Sequence, residues 1–190
     1  RLNTVGSNAK LGEGDFIVAE ADESDRSFLY LSPFIAVLTN IDEEHLDQYG
    51  TLNEIKKTFV YFANKVPFYC PVILCLDDHN LQSIMPQIER KIITYGFSPE
   101  ADIQARDPEF DGFSSYSTLY IHGRKAGRLK LNVPGPHNIL NALAATAVAL
   151  DLDIEMETII KALEDYTGTG RRFELKKIVN NIMIIEDYAH

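Results

Sequence analysis

Apolar positions along the chain fall into two spacings. Continuous apolar runs closed by polar residues occur at Phe16–Ala19, at Ile35–Leu38 and around Val72–Leu76, with KIITYG over 91–96 as a fourth. Runs of this kind predict strands buried on both faces, as in a parallel α/β sheet. Between them the spacing turns helical. Leu52, Ile55, Phe59, Phe62 and Ala63 form one apolar face, begun at Thr51 or Asn53 and ended before Pro67. Leu81, Ile84, Met85 and Ile88 predict a second amphipathic segment, and Ile139, Leu140, Leu143, Ala144 and Ala147 a third. Met156, Ile159, Ile160 and Leu163 predict a fourth, over Glu155–Tyr166. Residues 102–107 and 117–133 predict smaller extended pieces, with GRKAGR as a compact basic turn, and hence a small antiparallel or mixed attachment. Pro108 is among the prolines expected to punctuate separate elements. Leu175–Val179 and Ile182–Ile185, split by Asn180 and Asn181, predict a hairpin opening a second α/β domain, which places a boundary between residues 1–170 and 171–190.

The chemistry gathers behind the first two apolar runs. Glu20, Asp22, Glu23 and Asp25 follow one; Asp42, Glu43, Glu44, His45 and Asp47 follow the other. If both strands run the same way, their carboxyl ends lie side by side, and open α/β sheets bind ligands in the crevice outside those ends. Glu20 and His45 would then meet. A carboxylate with an imidazole can hold a divalent ion, and one that also carries nucleotide phosphates is best matched by Mg2+. The alternative is an acidic loop that simply faces water. His79 lies in the same zone, with a loop or helix-cap role as its plainer reading.

Composition narrows the function classes. With 190 residues, 45% of them hydrophobic, the chain can bury one substantial core. Its 18 basic and 28 acidic residues leave a formal charge of −10, and no basic stripe interleaved with aromatics provides a nucleic-acid track. A local basic site for a small anion remains open, and Arg124, Lys125 and Arg128 are candidates beside the plainer reading of charges facing water. Cys70 and Cys75 are expected to be buried, reduced thiols, since no further cysteines complete a metal set. No signal peptide and no apolar span long enough for a bilayer is read from the sequence. GSNAKLG lacks the GKS or GKT ending of a phosphate loop and is read as a structural turn.

Two later stretches carry further candidates. In NVPGPHNILNALAA, Asn138 reads by its chemistry as a helix cap or as a nucleotide contact. In GTGRRFE the fork of Arg172 suits bidentate phosphate binding, and the alternative is an ordinary boundary charge.

Taken in order, EADESDRSFLYLSP, VLTNIDEEHLDQYG, FVYFANKVPFY, LNVPGPHNILNALAA, RRFE and DYAH resemble the Mur ligase family over nearly the whole chain, and the ADESD form points to its alanine-adding member. The resemblance implies a Mur ligase central domain, with a mostly parallel sheet flanked by helices and a small antiparallel attachment, followed by the beginning of a C-terminal α/β domain. It implies ATP and Mg2+ as cofactors, Glu20 and His45 as metal ligands, and His137 and Asn138 at the adenine, with Asn141 as a weaker companion. Arg172 falls to the ATP phosphates and Asp187 to the ATP side of the DYxH signature, where Glu186 departs from the family's usual Asp and His190 supplies the histidine.

The implied reaction is ATP-dependent amide formation between UDP-N-acetylmuramate and L-alanine through an acyl phosphate, in cytoplasmic peptidoglycan precursor synthesis. Glu20, His45 and Arg172 are its expected catalytic groups. The family's GKT or GKS loop is not found in residues 1–190. The stretch is therefore expected to begin inside a domain, to be part of a larger ligase and to show little or no catalysis alone. A noncatalytic nucleotide-binding module, another family member and a purely structural interaction domain are the alternatives.

Overall fold

The computed structural model describes residues 9–180 and 182–188. His190, the histidine of the terminal signature, lies outside them. The order of elements is β1 (Ala36–Leu38), α1 (Leu46–Tyr49), α2 (Leu52–Asn64), β2 (Pro71–Cys75), α3 (His79–Ile84), β3 (Lys91–Gly96), β4 (Ile103–Asp111), β5 (Ser114–Ile121), β6 (Arg124–Leu131), α4 (Pro136–Asp151), α5 (Met156–Glu164), β7 (Glu174–Val179) and β8 (Ile182–Glu186). Six strands form one sheet in sequence order, β1 to β6, and β7–β8 form a separate hairpin.

Ladders β1–β2, β2–β3 and β3–β4 are parallel, whereas β4–β5 and β5–β6 are antiparallel, so the sheet is mostly parallel with an antiparallel extension. All five residues of β2 are buried, as its unbroken apolar run requires of a strand covered on both faces. α4 lies across β2 to β5 and α5 packs against β6. Ile139, Leu143, Ala144 and Ala147 of α4 join Ile73, Leu74, Leu119 and Leu129 of the sheet in one core.

Three expectations are corrected. Phe16–Ala19 is not a strand: the segment joins no sheet, and Ile17 and Val18 are almost fully exposed. An apolar run becomes a strand only when a neighbour takes up its N–H and C=O groups, and here β1 is the edge of the sheet. GRKAGR is not a turn either. The turn is His122–Gly123, with φ of 46° and 74°, and Arg124 already begins β6. Two adjacent left-handed residues match the twist of a tight hairpin, and basic side chains on β6 need only one face toward water. Pro108 does not separate two elements. It sits inside β4 at the register shift between Arg106 and Glu109, where a strand tolerates a residue without an N–H.

Candidate functional site

α4 begins with a backbone that only glycine accommodates. Gly135 has φ of 94°, and a Cβ there would come within 2.7 Å of the His137 ring. Pro136 follows at the first helical positions, where a missing N–H costs nothing. The turn thus brings His137, Asn138 and Asn141 to the wall of an open cavity of about 1150 Å³. Asn138 Nδ2 donates to the Pro134 carbonyl at 2.7 Å and lies 3.2 Å from His137 Nε2, which holds the two side chains together.

The rest of the lining comes from the segment after α5, the start of β7 and the residue after β8. Tyr166, Thr169, Arg172, Phe173 and Asp187 contribute to it, and the Tyr166 and Thr169 hydroxyls are 2.8 Å apart. Arg172 Nη1 donates to the Tyr188 carbonyl at 3.2 Å, and Asp187 Oδ1 accepts the Phe173 N–H at 3.2 Å. Lys176 beside Glu174, with the Arg171 N–H, holds the Glu174 carboxyl below its ordinary range. Glu20 lines this cavity as well. Six of the residues singled out from sequence, Glu20, His137, Asn138, Asn141, Arg172 and Asp187, therefore share one cavity that mixes carboxylates, a guanidinium, amides and aromatic rings.

His45 is elsewhere. It lines a smaller cavity of about 190 Å³ with Glu23, Asp42, Glu44 and Asn40 over an apolar floor that includes Phe28, Phe59 and Phe62. Its backbone is left-handed, with φ of 54°, at the entry to α1. Its Nε2 lies 3.8 Å from Glu23 Oε1. Tyr49 supports this corner by donating its hydroxyl to the Glu23 carbonyl at 2.6 Å, beneath the Arg26 guanidinium, 4.6 Å from the ring centroid. The structure thus puts Glu23 beside His45, while Glu20 and His45 line different cavities. Among the described residues no three His, Cys, Asp or Glu side chains are grouped as a metal set.

The acidic cluster itself divides. Hydrogen bonds from the Ser24 hydroxyl and N–H hold Asp22 below the ordinary carboxylate range, and those from Ser27 do the same for Asp25. These two carboxylates close local turns, whereas Glu20 lines the larger of the two cavities and Glu23 the smaller. Arg128 pairs with Glu109 at 3.5 Å and lies 5.6 Å from the Tyr116 ring centroid, on the water-facing side of the antiparallel extension. His79 is the exposed first residue of α3, which Asp78 caps by accepting the Leu81 N–H at 2.7 Å. Cys70 and Cys75 are buried and unpaired, as expected. Sequence reasoning missed Phe113, Tyr166 and Phe173 on the large cavity and Glu23 beside His45. Only Glu23 and Phe173 had a signal, as members of ADESD and RRFE.

A family model described as Mur ligase middle domain matches residues 2–149. The UDP-N-acetylmuramate–L-alanine ligase of Syntrophobacter fumaroxidans is 52% identical over 190 residues, 100% of this chain and 40% of that protein. The enzyme of the same name from Trichlorobacter lovleyi is 53% identical over 191 residues, again 100% of this chain and 42% of the relative. The chain thus spans about two fifths of the length of these relatives. Among solved structures, the UDP-N-acetylmuramate-alanine ligase from Thermotoga maritima superposes with a TM-score of 0.76 at 28% identity, covering 89% of this chain and 38% of that one.

Proposed function

The chain belongs to the Mur ligase family, and from that premise we propose that it is the central, nucleotide-binding part of an ATP-dependent ligase that joins UDP-N-acetylmuramate to L-alanine in cytoplasmic peptidoglycan precursor synthesis. The observation that carries the reading is the shared cavity, which Arg172, just before β7, and Asp187, just after β8, line together with His137, Asn138 and Asn141 from the first two turns of α4. Its volume and mixed lining suit a nucleotide, with amides for a base and a guanidinium for phosphates. The division at residues 170 and 171 belongs to the same proposal, supported by the separate β7–β8 sheet. No helix among the described residues is long and apolar enough to cross a membrane.

In the proposed reaction a lactyl carboxylate oxygen takes the γ-phosphoryl group of ATP, releasing ADP and leaving an acyl phosphate. The amine of L-alanine then attacks the acyl carbon. The tetrahedral intermediate sheds inorganic phosphate, and the nitrogen loses a proton as the amide forms. Phosphate is a far better leaving group than the oxygen it replaces. Arg172 would stabilise the charge on the transferring group, worth about 10²-fold to 10³-fold in rate for a well-placed donor. Glu20 and His45 are the proposed Mg2+ ligands. Of the two, the Glu20 carboxylate matches the oxygen donors that ion takes beside water and phosphate, and since the side chains line different cavities the assignment of the pair rests on the family resemblance. When bound, the ion would offset phosphate charge. A His45 lone pair committed to a metal is not also a general base.

The test is to assay the full natural chain with ATP, L-alanine and UDP-N-acetylmuramate, following ADP, phosphate and the amide product by mass. ATP- and L-alanine-dependent product is expected. ATP binding with no product under any amino acid would favour the noncatalytic nucleotide-binding reading instead, and product with a different amino acid would favour another member of the family.

A further inference from the structure

We propose that Phe173, backed by Phe113, is the stacking platform for the nucleobase in the large cavity, an assignment that rests on the ATP reading above. Phe173 combines two features that ordinary packing does not reward. The residue is 49% exposed and lines the cavity. Its backbone is left-handed, with φ of 46°, a region that bulky side chains rarely occupy. Arg171, two residues earlier, is left-handed too, with φ of 64°. Asp187 holds the bend by accepting the Phe173 N–H. A strained backbone that leaves a phenyl ring half in water gains little from burial, and what it does achieve is to set that ring in the cavity.

Phe113 approaches from a different part of the fold. It follows Gly112, whose φ is 56°, at the turn between β4 and β5, and it also lines the cavity. The two ring centroids are 5.8 Å apart with planes inclined by 38°. That distance decides the geometry of binding. A base sandwiched between the rings would need two contacts of about 3.5–4.0 Å each, holding the rings about 7–8 Å apart. The base therefore stacks on the open face of Phe173, and Phe113 supports the ring from behind. Arg172, next in the chain, then stands on the phosphate side, while the amides of Asn138 and Asn141 supply hydrogen-bonding groups in the same cavity. Stacking tolerates any base, because every base has a π face. The ring pair provides affinity, and preference among bases falls to the amides.

Calorimetric titration of the full natural chain with ATP, GTP and inorganic tripolyphosphate tests this. Phe173→Ala is expected to weaken ATP and GTP by a similar factor, roughly ten- to a hundred-fold, and to leave tripolyphosphate within about two-fold. Phe173→Leu, which keeps bulk without a π face, is expected to lose ATP affinity as well, and Phe173→Tyr to retain it. Phe113→Ala is expected to give a smaller loss in the same direction. Thermal melts establish that each variant is folded, and the Leu and Tyr variants carry the comparison if the Ala variant is not. Equal losses of ATP and tripolyphosphate would overturn the assignment, since the ring would then only be positioning Arg172. So would wild-type ATP affinity in both Phe173→Ala and Phe173→Leu, which would leave the ligase reading intact. A wild-type chain that binds neither ATP nor GTP would overturn the ligase reading and this assignment with it.

Discussion

Asp77 ties the end of β2 to the end of β3. Its carboxylate accepts the Phe97 N–H at 2.6 Å and the Ser98 N–H at 2.9 Å, and it sits where a side chain on Gly96 would have to go, 2.6 Å from a built Cβ. Gly96→Ala is expected to cost about 1–3 kcal/mol through overpacking. Asp77→Ala, which strands two N–H groups in a half-buried loop, is expected to cost about as much. Urea unfolding midpoints check both. The sequence marked Gly96 as a strand end, but nothing local showed that a carboxylate from the neighbouring strand fills its space. The thiols make a second prediction. Burial raises Cys70 and Cys75 above the ordinary value of 9.0, so each keeps its proton in the folded chain where the unfolded chain loses it. That contribution to stability is complete below 9.0 and is lost as pH rises through the folded values. The unfolding midpoint should therefore decrease as pH rises above 9.0. A Cys70→Ala, Cys75→Ala double variant should flatten that slope.

α2 shows what a single element requires beyond its pattern. At its start the Thr51 hydroxyl accepts the Glu54 N–H at 3.3 Å, and Lys57 pairs with Glu54 at 2.6 Å. At its end Arg90 donates to the carbonyls of Val66 at 2.5 Å and Asn64 at 2.6 Å, and the Asn64 amide bonds Gln87 and Glu89 in the same loop. The cap was legible because it is local. The Arg90 clamp was not, since it joins parts of the chain that meet only on folding. Thr51→Ala is expected to cost about 1 kcal/mol, and Arg90→Ala about 1–3 kcal/mol, because a charged donor at a helix C-terminus also meets the favourable end of the dipole. The sites lie a helix length apart, about 20 Å for thirteen residues, so the double variant should show the sum. Guanidinium unfolding of the four proteins measures this.

At the scale of the whole molecule the question is how residues from distant elements come to act together. In the full natural chain Arg172→Ala is expected to lower ligase turnover by about 10²-fold to 10³-fold. Glu20→Gln and His45→Gln are expected to raise the Mg2+ concentration needed for half-maximal rate while leaving the thermal midpoint without ligand nearly unchanged. Both side chains are solvent-accessible and outside the core, so their loss should not disturb the sheet. An unchanged Mg2+ dependence in both variants would remove them from the metal site. Glu23→Gln belongs in the same series, because Glu23 is the carboxylate found beside His45.

The sequence by itself determined the parallel strands β1, β2 and β3, the helices α2 to α5, the closing hairpin and the family, because apolar spacing, caps and ordered motifs are written in consecutive residues. Only the tertiary structure decided which carboxylate sits beside His45, that Phe113 and Phe173 meet on one cavity wall, and that Phe16–Ala19 joins no strand of the sheet. Each of these depends on a partner far away in the chain. A strand, an ion pair and a ring contact all need two sides, and the spacing within one segment describes only one of them.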